Sequence, residues 1–121
     1  YDRELLFFVR PGSELAAAGA AAGLPLAQEA FADRGYMPDG SLVPRSRPEA
    51  IISDPEVVVQ RMVRLVKDGV IEAIDGTELK LRAETICIHS DTPTALEIAR
   101  ALRAGFENAD ILVQPAGASP R

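Results

Sequence analysis

A single histidine, His89, follows directly on the apolar, β-branched run Thr85-Ile-Cys-Ile88. An imidazole at the carboxyl end of a buried strand stands where alternating strand–helix folds collect their reacting groups, and it can act as a general base or ligate a metal. The competing reading is a histidine that only hydrogen-bonds a neighbouring loop. Asp33 holds the equivalent place after the run Leu26 to Phe31. Its carboxylate can orient a histidine, hold a metal or accept a proton; alternatively it pairs with Arg34 or Arg45 and pins the loop. Asp91 lies two residues beyond His89. It is either a ligand or proton partner of His89 or a carboxylate that favours the N-terminus of the following helix. Arg34 and Arg45 offer planar, bidentate donors to a carboxylate or a phosphoryl group, and Arg45 sits in a segment stiffened by Pro44 and Pro48. Glu29 points toward this group or away from it, because strand alternation leaves its direction uncertain by one residue. Cys87 reads as a buried structural thiol rather than a nucleophile.

The elements that must position these groups follow from periodicity and breakers. Leu5 to Val9 is a continuous apolar run closed by Pro11-Gly12, as expected of a strand buried on both faces. Ser13 caps a helix to about Ala22, and Gly23 ends it. Leu26 to Phe31 is a second strand. It leads into FADRGYMPDGSLVPRSRP, Phe31 to Pro48, which exceeds the roughly 4–6 residues of ordinary connections and therefore reads as functional. Asp39-Gly40 within it reads as a turn. Ser53 or Asp54 caps the next helix, with Pro55 in its first turn and Val58, Val59, Met62, Leu65 and Val66 as its apolar face, and Gly69 stops it. Val70 to Ile74 and Thr77 to Leu81 flank Asp75-Gly76, a strong hairpin signal. Thr85 to Ile88 is a strand, Thr92 caps a helix starting at Pro93 with Leu96, Ala99, Leu102 and Phe106 facing the core, and Ile111 to Val113 is a last strand. Such alternation argues for an α/β fold of parallel strands with helical crossovers, with the hairpin as an excursion from the main sheet.

The composition is that of one globular domain: 121 residues, 47% hydrophobic and 26% charged. A net charge of -5 without clustered Lys and Arg argues against a nucleic-acid partner. No apolar stretch approaches the roughly 20 residues of a spanning helix, so no membrane role is expected. One cysteine cannot form an internal disulfide, which fits a reducing cytoplasm. A chain that opens at Tyr1, almost directly into a strand, is expected to be part of something longer. Residues 1–114 form the domain, and the Pro- and Gly-punctuated tail 115–121 is expected to fray.

Three blocks, Phe31-Ala-Asp-Arg-Gly-Tyr36, Asp39-Gly-Ser-Leu-Val-Pro-Arg-Ser46 and Thr85-Ile-Cys-Ile-His-Ser-Asp91, resemble in order and spacing the C-terminal half of the LamB/YcsF family, the A subunit of the prokaryotic 5-oxoprolinase. The resemblance covers nearly the whole chain. It implies the C-terminal part of an incomplete (β/α) barrel of the glycoside hydrolase/deacetylase type. It also implies an enzyme that opens 5-oxo-L-proline to L-glutamate with ATP hydrolysis, working beside B and C subunits. The family's N-terminal half carries an Asp-x-Asn motif, a His-Ala-Gly-Asp motif and further histidines, none of which is present. The missing N-terminal half of the barrel is thus an expected partner, and this chain alone is expected to be inactive. Where the family commonly reads His-Gly-Asp, this chain has His89-Ser90-Asp91, which puts a Cβ where the backbone would otherwise be free to take a positive φ.

An amide carbonyl is a poor electrophile and a five-membered lactam has little strain, so coupling its opening to ATP is chemically sensible: phosphorylating the amide oxygen creates a leaving group. The sequence holds no G-x-x-x-x-G-K loop, so ATP is not expected in a Walker-type site here. On this reading His89, Asp33 and Asp91 carry the chemistry and Arg34, Arg45 and Glu29 bind substrate, with a divalent metal as an open possibility. Two other readings stand beside it: a metal-dependent amidohydrolase or deacetylase-like enzyme acting on another lactam, and a non-catalytic split-gene remnant serving as an interaction module.

Overall fold

Strand β2, Leu26–Phe31, is the axis of the molecule, and the computed structural model describes residues 2–117 around it. It pairs in parallel with β1 (Phe7–Val9) on one side and with the strand Thr85–Cys87 on the other, giving a three-stranded sheet. Short apolar strands of this kind need a helical crossover to run parallel, and the first is α1, Glu14–Ala21. Ser13 caps it as expected, its hydroxyl accepting the N–H of Ala16 at 3.1 Å. Helix α1 lies close on the sheet because Gly19 faces Phe7 and Leu26, whose side chains occupy the space a Cβ would take.

Helix α2, Pro55–Asp68, starts at Asp54, whose carboxylate accepts the Glu56 N–H, and ends at Gly69 in the left-handed region. Val58, Met62 and Leu65 are its buried stripe, and Val59 packs into the gap left by Gly105 of the last helix. Val66, expected on that face, is 43% exposed. The hairpin forms as β3 (Val70–Glu72) and β4 (Glu78–Lys80) around Asp75-Gly76, where Asp75 accepts the Thr77 N–H and Gly76 has φ 88°. It is a separate two-stranded sheet, as an excursion should be. Strand Thr85–Cys87 is β5.

The last third departs from expectation twice. Helix α3 is Ala95–Asn108, not a helix from Pro93, and its N-cap is Thr94 rather than Thr92. Its buried face is Ile98, Leu102 and Phe106, while Leu96, expected on that face, is 61% exposed. The expected final strand, Ile111 to Val113, is absent. Asp110 takes φ 57°, its N–H bonds the Glu107 carbonyl, and the Ile111 N–H bonds the Phe106 carbonyl. These bonds close the helix in a Schellman turn, so the run's first amide is spent on the helix rather than on a ladder. Leu112 is left 80% exposed. Of the tail from Pro115, the part beyond Gly117 lies outside the described residues, as does Tyr1.

Ala30 and Ala32 of the β2 side, Ile86 and Ile88 of the β5 side, and the stripes of α2 and α3 form one core. The helices cover one face of the sheet, and β1 and β5 are its edges among the described residues. This is a mixed α/β architecture with a parallel sheet. Among the described residues no helix is long and apolar enough to cross a membrane.

Candidate functional site

Since Ala30, Ala32, Ile86 and Ile88 face the helices, period-2 alternation turns Glu29, Phe31, Asp33, Cys87 and His89 to the face away from the helices. This settles the direction of Glu29. The Cys87 thiol reports the same grouping: burial pushes its pKa up, and the carboxylates of Glu29 and Asp33 push it further the same way. A thiol so disfavoured as thiolate is a poor nucleophile, in line with the structural reading of Cys87.

Asp33 and His89 meet just beyond the carboxyl ends of β2 and β5. The register Phe31↔Cys87 carries two residues further, so the two positions stand level. One oxygen of Asp33 accepts the backbone N–H of His89 at 2.9 Å and the other lies 2.8 Å from its Nδ1. Asp33 is fully buried and the His89 side chain is 22% exposed. A buried carboxylate that already takes one N–H is an acceptor, so neutral His89 carries its proton on Nδ1 and its Nε2 keeps a lone pair. The imidazole lies against the Phe31 ring, with centroids 5.5 Å apart and planes 11° from parallel. Asp33 thus contacts His89 through both oxygens, and it pairs with neither Arg34 nor Arg45.

Arg34 is 6% exposed, and its Nε and Nη2 donate to the carbonyls of Ala50 at 2.9 Å and Val43 at 2.7 Å. A guanidinium so engaged braces the loop, with Nε and Nη2 committed to backbone carbonyls. Arg45 is the exposed member: its Nη1 donates to Asp91 at 3.0 Å, with side chains 51% and 59% exposed. That hydrogen bond, and the Asp91 backbone amide, hold the Asp91 carboxyl below its ordinary range. Asp91 therefore ties the long loop to the turn after β5 and does not cap α3. Ser90 has no positive φ, so its Cβ is accommodated.

The long loop is folded on itself. Arg34 bridges Ile51 and Tyr36 bridges Leu42 in antiparallel fashion, and the Ile52 N–H donates to the Asp33 carbonyl at 2.9 Å. Gly35 is required where the strap crosses, since a Cβ there would collide with the Glu49 carbonyl. Asp39 and Ser41 close the tip in the expected turn, with Gly40 at φ 83°. Tyr36 is fully buried, and its hydroxyl accepts the Phe31 N–H at 3.0 Å. Sequence reasoning also missed Arg61 of α2, whose Nη1 and Nη2 donate to the carbonyls of Ala32 and Arg34. Its signal was spacing: it falls three residues after Val58 and four before Leu65, beside the core stripe.

No group of three His, Cys, Asp or Glu suited to a metal occurs among the described residues. His89 Nε2 backed by Asp33 offers one ligand position, which does not by itself make a metal centre.

A sequence model of the LamB/YcsF family matches residues 1–120. The chain is 49% identical over 114 residues to the A subunit of 5-oxoprolinase from Rhodopseudomonas palustris (strain BisB18), covering 94% of this chain and 45% of that protein. It is 46% identical over 117 residues to the A subunit of 5-oxoprolinase from Thermococcus onnurineus (strain NA1), covering 97% and 46%. The crystal structure of a lactam utilization protein from Thermus thermophilus matches with a TM-score of 0.87 at 42% identity, covering 93% of this chain and 44% of that one. The chain thus spans somewhat less than half the length of these relatives.

Proposed function

Because this chain belongs to the LamB/YcsF family, we propose that it forms part of an A subunit that opens 5-oxo-L-proline to L-glutamate. The observation that carries the reading is the Asp33–His89 pair at the strand ends, on the face away from the helices, in a chain 49% identical to the A subunit of a 5-oxoprolinase. His89 Nε2, unprotonated in the tautomer that Asp33 selects, takes a proton from the attacking water as its oxygen bonds to the lactam carbonyl carbon. The same nitrogen returns the proton to the ring nitrogen as the C–N bond breaks. Asp33 stabilises the imidazolium between these steps without itself becoming protonated.

Arg45 receives the substrate carboxylate in exchange for Asp91. Both side chains are more than half exposed, so the exchange uncovers no buried charge. Glu29 lies deeper on the same face and is assigned to the substrate amide. ATP hydrolysis supplies the driving force in the assembly with B and C subunits. The remaining strands of the barrel complete the site, so this chain alone is inactive.

The test is turnover of 5-oxoproline to glutamate by the full-length gene product with its B and C partners. His89→Gln is expected to abolish glutamate formation while leaving the assembly intact by size-exclusion. Undiminished turnover in that variant removes His89 from the chemistry, and with it this reading.

A further inference from the structure

The geometry points to Arg61 as a positioning residue that fixes Asp33 and, through it, determines which nitrogen of His89 carries the proton. This rests on the reading of His89 Nε2 as the proton acceptor. Arg61 belongs to α2, and its two terminal nitrogens reach the carbonyls on either side of Asp33, Nη1 to Ala32 at 2.8 Å and Nη2 to Arg34 at 3.0 Å. The carbonyl between them, that of Asp33 itself, takes the Ile52 N–H at 2.9 Å. Three consecutive carbonyls are thereby held beyond the end of β2, where the sheet ladder no longer holds them. Two of the three depend on one guanidinium. The fork geometry of arginine matches this task, since a single ammonium cannot grip both carbonyls in one orientation.

Packing alone does not account for the residue. Arg61 is partly withdrawn from water, and the desolvation lowers its pKa against the opposing influence of Tyr36, Asp33 and Glu72. An apolar side chain of similar volume would fill the slot without that penalty. What an apolar side chain cannot do is hold the backbone of Asp33, whose two oxygens must meet two separate donors of His89 at once. A small rotation of that backbone breaks one of the two bonds. An imidazole released from Asp33 reverts to the mixture of tautomers of free histidine, in which the Nε2–H form predominates and the acceptor is lost.

The experiment reads the imidazole nitrogens of His89 by long-range proton–nitrogen NMR in the full-length protein without substrate, the signal being identified by its loss in His89→Gln. The unmodified protein is expected to show the Nδ1–H tautomer and hydrogen-bond couplings from both Arg61 Nη atoms to the Ala32 and Arg34 carbonyl carbons. Arg61→Met is expected to lose the Nδ1–H signal, with kcat down about 10–100-fold and KM unchanged. Arg61→Lys, which keeps the charge and most of the stem, restores part of both and decides the matter where Arg61→Met does not fold. A wild-type tautomer in a folded Arg61→Met or in Arg61→Lys overturns the inference, as does absence of the two couplings in the unmodified protein. Because the tautomer is read without substrate, this outcome is independent of whether His89 acts on 5-oxoproline, which the turnover of His89→Gln decides.

Discussion

Tyr36 Oη accepts the backbone N–H of Phe31 at 3.0 Å, and Phe31 is the residue whose ring lies against His89. The loop that leaves β2 therefore folds back to hold the strand end from which it came, and the site wall depends on a phenol five residues downstream. Tyr36→Phe leaves that N–H without its acceptor, at an expected cost of about 1–3 kcal/mol in urea unfolding. Burial pushes the Tyr36 phenol up. The unfolded chain then ionises first as pH rises, so stability should fall above about pH 10 and level off beyond the folded pKa. Tyr36→Phe should lack this part of the alkaline decline; an identical decline in both proteins would contradict it.

Asp33→Asn keeps the size of the side chain but presents an amide where His89 needs an acceptor. Turnover of 5-oxoproline by the complete assembly should drop about 10²–10⁴-fold in kcat with little change in KM. Equal losses in binding and turnover would assign Asp33 to substrate instead.

Arg45→Ala should raise KM about 10–100-fold, the range for one charge-assisted hydrogen bond, and leave the unfolding midpoint in place. It should also let the Asp91 carboxyl return upward toward the ordinary aspartate range, followed by carboxyl-carbon NMR. A depressed carboxyl pKa means that the ion pair is complete above the ordinary range and fades as pH falls through the lower folded value. An Asp91 titration indifferent to Arg45→Ala would show that the pair does not persist in solution.

Gly35→Ala and Gly40→Ala should differ in kind. At Gly35 the new Cβ meets the Glu49 carbonyl, whereas at Gly40 it meets nothing within 4 Å but the backbone has φ 83°. Overpacking against backbone costs about 1–3 kcal/mol or more, and a left-handed alanine about 1–2 kcal/mol. Gly35→Ala should therefore unfold at the lower urea concentration, and the reverse order would indicate that the strap yields at Glu49.

Where one local rule acts alone, the sequence is legible: Leu26–Phe31 has its expected bounds, Ser13 and Asp54 cap their helices, and Asp75-Gly76 makes its hairpin. Where two rules compete, local reasoning goes astray. Thr92 and Thr94 are the same residue type two positions apart, and the helix starts after the later one without a side-chain cap bond from it. Ile111 to Val113 has strand composition, yet the helix end claims its first amide. The pairing of Asp33 with His89 is accessible once both are placed at strand ends in one register. The commitment of Arg34 to Val43 and Ala50, and the reach of Arg61 across from α2, depend on how the loop folds over the strand. No periodicity encodes that.

Asp33 and His89 are 56 residues apart in the chain and meet only across a parallel strand pair. Parallel pairing is reached through a crossover, so its loop-closure entropy is lost before the contact returns any stabilisation. The helices and the hairpin, built from near neighbours, can form before it. The two halves of the site are thus brought together late in folding. During synthesis, a chain that has emerged only as far as Arg82 holds the whole strap around Asp33 and no partner for its carboxylate, so both oxygens of Asp33 gain their His89 partners in one step when β5 docks.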